Sequence, residues 1–125
     1  MRCLECRFVA DLDSYLAGVG ARSLKSGAEW GLTVEAEWPL DIGIRIADGL
    51  LRVQAYVLPA AQALPDEELL HWNRHTRLVR FGRTRDGDIW LDADLPEAAA
   101  TPTEVDRLLG LVVEAAQAAR RSRSR

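Results

Sequence analysis

Between Trp30 and Val57 the residues alternate so regularly between apolar and polar that few folds can accommodate the segment. Trp30, Leu32, Val34, Ala36 and Trp38 share one side, with Thr33, Glu35 and Glu37 between them. A period of two is the pleat of a strand with one dry face and one wet face. Pro39 removes a ladder donor and divides this run from a second, in which Leu40, Ile42, Ile44 and Ile46 enclose Asp41 and Arg45. Asp48-Gly49 then reads as a two-residue type I′ turn, since glycine accepts the positive φ that this turn requires. With Ala47 opposite Leu50, Ile46 meets Leu51, Ile44 meets Val53, Ile42 meets Ala55 and Leu40 meets Val57. A slip of one residue would set isoleucines against Arg52 and Gln54.

The flanking segments extend the pattern. Leu4, Phe8, Leu12, Leu16 and Val19 are three or four residues apart, which predicts an amphipathic helix over residues 2–18 ending near Gly18 and Gly20. Residues 21–29, ARSLKSGAE, show neither period and are expected to be a loop. Pro65 opens a short helix over Asp66–His75, with Asp66, Glu67 and Glu68 in its first turn and Arg74 and His75 near its end. Leu78–Arg83 and Asp88–Leu95 form a second hairpin. Here a three-residue loop of Arg85, Asp86 and a left-handed Gly87 keeps Phe81 opposite Leu91 and Val79 opposite Ala93, and it pairs Arg80 with Asp92 outside. Thr101-Pro102-Thr103-Glu104 is a capping box. Behind it Val105, Leu108, Leu109, Val112, Ala116 and Ala119 mark the buried stripe of a helix reaching about Arg120. The predicted order is αβββαββα, an α+β fold with a five-stranded antiparallel sheet against helices. One domain covers 1–120, and 121–125 is a basic disordered tail.

Charge and composition remove several functions. A net charge of -3 offers polyanions no global attraction. Hydrophobic residues at 48% place the chain among folding sequences. No apolar run approaches the roughly 20 residues of a membrane span, so a cytoplasmic protein is expected. Cys3 and Cys6 are too few and too close for a disulfide framework.

Chemistry-bearing residues are sparse. Cys3 and Cys6 with His71 and His75 have zinc-ligand identities, but the two pairs lie far apart and the cysteines precede a helix without a knuckle. A redox pair should follow a strand, and only Met1 and Arg2 come before Cys3. Ser14, Ser23 and Ser26 lack a nucleophile elbow. Asp86, Asp88, Asp92, Asp94 and Glu97 read as a turn and a solvated strand face rather than a calcium loop. No phosphate-binding glycine motif precedes a helix. The expectation is no catalytic residue, cofactor or metal. Arg74, Arg77, Arg80, Arg83 and Arg85, flanked by Trp72 and Trp90, are the basis for an alternative nucleic-acid contact, although the acidic strand beside them offsets their charge.

From Leu50 onward a resemblance appears. LLRVQAYV, PDEELLHWNRHTRLVRFGRTRDGDIWLDADLP and TPTEVDRLLGLVVEAAQAA resemble the bacterial YbjN-like proteins, whose domain is similar to type III secretion chaperones. The matching features are Trp72-Asn73, Arg80-Phe81, Asp86-Gly87, Leu95-Pro96 and Thr101 to Glu104, continuous over about residues 50–119. The resemblance implies the same element order and a noncatalytic, often dimeric domain that holds segments of partner proteins. Through a relative linked to a single-stranded-DNA-binding repair protein, it also implies an accessory repair role as the alternative. The motif residues look structural, and Asn73 is expected to hydrogen-bond locally to backbone at the helix–strand turn. Aromatic residues left outside a one-sided sheet supply rigid contact area. Trp38, Tyr56, Trp72 and Trp90, with Arg80 and Asp92, are therefore the candidate protein-binding residues of a homodimeric adaptor.

Overall fold

The Asp48-Gly49 turn forms with both residues at positive φ, 55° and 76°, and the strands it joins meet in the expected register. The computed structural model describes residues 4–25, 28–62 and 64–124, with side chains for 11–25, 28–62 and 64–123. The elements are α1 (Leu4–Gly18), β1 (Arg22–Lys25), β2 (Glu29–Ala36), β3 (Trp38–Ala47), β4 (Leu50–Leu58), α2 (Asp66–His75), β5 (Val79–Arg83), β6 (Ile89–Pro96) and α3 (Pro102–Ser124). The fold is α+β with one antiparallel sheet in the order β1-β2-β3-β4-β6-β5.

That sheet has six strands, which corrects the expected five. Residues 22–25 lack alternation and on that ground are expected in a loop, yet they pair with β2 through Arg22–Gly31 and Ser23–Trp30. All four are exposed. Alternation records a difference in burial between faces, so a strand wet on both faces carries no such signal.

Every second residue from β2 to β6 enters a common core with the helices. Trp30, Leu40, Ile44, Leu51, Val53, Leu91 and Ala93 meet Leu12, Leu16, Val105, Leu108, Val112 and Ala116. Polar tips at the rim are tied in as well: Trp30 donates from Nε1 to Asp13 at 2.7 Å, and the Tyr15 hydroxyl donates to Asp106 at 2.6 Å, joining α1 to α3. Burial together with Asp106 pushes the Tyr15 phenol well above its ordinary value.

Turn chemistry explains the joints. Gly20 sits at φ 92°, and Ala21 and Gly20 donate to the Leu16 and Ala17 carbonyls, closing α1 with a Schellman motif. The second hairpin has its three-residue loop with Gly87 at φ 94°, and β5 pairs with β6 through Val79–Ala93, Arg80–Asp92 and Phe81–Leu91. Only half of the capping box forms: Thr101 Oγ1 accepts from the Glu104 amide at 3.3 Å, while the Glu104 carboxylate turns to Arg107 at 3.5 Å.

The C-terminus departs from expectation. α3 continues to Ser124, so residues 121–124, read as a frayed tail, are helical. Arg121 reaches Glu37 at 2.6 Å, and Ser122 donates to Glu68 at 3.0 Å. Arg120 is 1% exposed, and its guanidinium donates to the carbonyls of Val57 (2.9 Å), Ala36 (3.1 Å), Trp38 (2.6 Å), Pro39 (3.4 Å) and Tyr56 (3.2 Å). It also lies 4.5 Å from the centre of the Trp38 ring. The β3–β4 ladder ends at Ile42–Ala55, short of the expected Leu40–Val57 pair, and where the two strands part the guanidinium takes up their carbonyls. Burial lowers the Arg120 pKa from its ordinary value, while Asp41 and Glu35 oppose that shift. Arg120→Met leaves several buried carbonyls unpaired, and we expect it to lower the unfolding free energy by at least about 2–3 kcal/mol, measured by urea denaturation followed by tryptophan fluorescence.

Candidate protein-binding surfaces

A sheet covered on one face has three places to meet another molecule: its bare face and its two edges. The bare face is mostly self-neutralised. Arg52 lies 3.4 Å from Asp94, Gln54 donates to Asp92 at 3.0 Å, and Thr33 donates to Asp41 at 2.7 Å. Arg80 stands opposite Asp92 as expected, but no ion pair joins them among the described residues, and Asp92 takes its hydrogen bond from Gln54. Tyr56 and Trp90 face each other across β4 and β6 and pack edge to face at 5.2 Å. Burial and Asp88 together raise the Tyr56 pKa.

The structure therefore brings Tyr56, Trp90, Arg80 and Asp92 onto one face and separates the other two candidates from them. Trp38, the first residue of β3, packs against the core beneath Arg120. Trp72 packs edge to face with Phe81 at 5.6 Å and helps line an apolar groove between α2 and α3. The groove has a volume of about 440 Å³, and His71, His75, Val79, Leu111, Glu114 and Ala115 also line it. Two large apolar side chains on the segment that borders it, Leu70 at 63% and Leu78 at 55%, are exposed. Leu78 holds a left-handed φ of 64°, a conformation that costs a residue with a Cβ about 1–2 kcal/mol.

The two edges differ. On β5, Asn73 Oδ1 accepts from the Phe81 amide at 2.7 Å and Asn73 Nδ2 donates to the Phe81 carbonyl at 3.0 Å. One side-chain amide thus satisfies the backbone pair that a further strand would need; the partner is Phe81 within β5, eight residues on, and not the backbone of the helix–strand turn expected of Asn73. Arg83 adds cover at the same edge by donating to Asp66 at 2.8 Å and to the Leu64 carbonyl. On the opposite edge β1 pairs with β2 alone among the described residues, and Leu24 is 63% exposed. A depression of about 480 Å³ lies beside it, lined by Arg22, Leu24, Gly31, Thr33 and Asp41.

The arginines weighed for nucleic-acid contact do not share one surface. Arg83 is turned onto Asp66 at the helical side, whereas Arg80 projects from the bare face and Arg77 lines the groove. Cys3 and the Cys6 side chain lie outside the described residues. Among the described residues no group of three or more His, Cys, Asp or Glu converges on a metal position. No described helix is long and apolar enough to cross a membrane. Sequence reasoning missed the open β1 edge, the strained Leu78 and the buried Arg120. Only the length of the C-terminal helical pattern hinted at the last.

Asn73→Ala should cost about 1–3 kcal/mol by stripping a half-buried backbone pair of its partners. Hydrogen exchange at the Phe81 amide should speed up selectively, and an unchanged rate there would show that the edge is closed by something else.

The same architecture occurs in solved structures. The chain superimposes on the crystal structure of the ExsC–ExsE complex with a TM-score of 0.71 at 18% identity, covering 93% of this chain and 92% of that one. For the HopA1–SchA chaperone–effector complex the TM-score is 0.74 at 10% identity, with 97% and 98% covered. For the Yersinia pestis type III secretion chaperone SycH, in complex with a stable fragment of YscM2, it is 0.68 at 13% identity, with 90% and 98% covered. The fold is that of the type III secretion chaperones. Comparison with curated proteins finds no match. The YbjN family, described as "Putative bacterial sensory transduction regulator", matches residues 45–122, and the chain belongs to that family.

Proposed function

We propose that this protein is a non-enzymatic, cytoplasmic adaptor or chaperone-like module that holds an extended segment of another protein, and that it works as a homodimer. The observation that carries the reading is the inequality of the sheet edges. β5 is closed by Asn73, whereas β1 presents backbone and an exposed Leu24. An extended segment added to an open edge gains main-chain hydrogen bonds for affinity, and neighbouring depressions take alternate side chains for selectivity. The depression beside Leu24 and Arg22 suits that second role. On the bare face, Tyr56 and Trp90 with Arg80 and Asp92 are the proposed further contacts. Family and fold are of non-catalytic kinds, and the solved neighbours are complexes with protein partners.

Leu24→Glu should remove about 1.5–3 kcal/mol of apolar contact, roughly tenfold or more in affinity, for a partner isolated with the native protein. Hydrogen exchange of that complex should protect amides 22–25 and leave Phe81 unchanged. Protection confined to other segments would sink the edge reading.

Self-association is supported by a separate observation, the groove with exposed Leu70 and Leu78 beside it. Strain at an exposed apolar residue persists where the side chain is wanted in that position. Leu78→Gly should stabilise the monomer by about 1 kcal/mol while lowering the dimer fraction in light scattering. Unchanged dimerisation would remove the groove from the interface.

A further inference from the structure

The histidines of α2 are not absorbed by the adaptor reading. His71 and His75 are one helical turn apart, both line the α2–α3 groove, and their ring centroids are 4.7 Å apart. That spacing has a chemical meaning. With metal–nitrogen bonds of about 2.0–2.1 Å, two imidazoles sharing one ion at ligand angles between a right angle and the tetrahedral value have centroids roughly 4.5–5.2 Å apart. The centroid spacing of the pair falls within that range, with the ring planes 63° apart.

We propose that His71 and His75 form a two-imidazole site for a divalent transition-metal ion at the wall of this groove. The ion class follows from the ligands: imidazole suits zinc, nickel, copper and cobalt, whereas magnesium and calcium select oxygen. Since no third described residue converges, water completes the coordination in the free protein, leaving positions open on the groove side. Local electrostatics are divided. Both rings lie towards the C-terminal end of α2, where the helix dipole favours a cation, and Glu114 from α3 lines the same groove. Arg74 and Arg77 oppose it, so the site is expected to be of modest affinity and to depend on both imidazoles. The proposal goes beyond the adaptor reading and stands or falls without it.

The test is calorimetric titration of the untagged full chain with zinc and nickel chlorides, magnesium chloride serving as control. One ion per chain is expected for the first two and none for magnesium. His71→Ala and His75→Ala each remove a direct ligand, so each should weaken binding by more than the roughly 10–100-fold that loss of an outer-shell partner costs. Thermal unfolding should agree, with a midpoint that rises with zinc concentration in the parent chain and stays level in both variants. Failure to bind zinc or nickel overturns the site. So does binding that survives both histidine variants and disappears in Cys3→Ser, Cys6→Ser.

Discussion

One buried cation holds the end of the sheet together. A guanidinium removed from water is tolerable only when its donors are satisfied, and Arg120 meets that condition with main-chain carbonyls of β2, β3 and β4 together with the face of Trp38. Those carbonyls lie where β3 and β4 part and where Pro39 supplies no amide. The arginine thus substitutes for a ladder that the local sequence cannot complete. It also fixes the axial position of α3, because a helix anchored at Arg120 places Val105, Leu108, Val112 and Ala116 against the strands as one block. Acids at Asp41 and Glu35 moderate the cost of that charge.

With the helices held on one side, the remaining surfaces divide by chemistry. The bare face carries its own cross-strand pairs beside the Tyr56–Trp90 contact. One edge is closed by an asparagine that imitates a strand, while on the other β1 pairs only with β2 among the described residues. Open edges attract further strands and are usually guarded. The fold shared with the secretion chaperones and membership of the YbjN family agree with a binding role.

Alternation between Trp30 and Val57, the glycines at 20, 49 and 87 and the opening signals of α2 and α3 were enough to establish the three helices, five of the six strands, the registers of both hairpins and most of the core. These are local rules: each depends on residues within one turn or one strand pair, where steric preference and burial act over a few ångströms. Asn73 was legible as a side chain that bonds backbone, but its partner Phe81 within β5 was not.

Tertiary structure alone decided the rest. β1 has no burial contrast and exists because β2 offers it a backbone ladder, so no periodicity could announce it. Arg120 looks like the first of a run of solvated arginines. It becomes a core residue only because the chain brings carbonyls from three distant strands around it. For Arg120 the partners lie far off in sequence, and desolvation is set by what surrounds a group in space rather than by its neighbours along the chain.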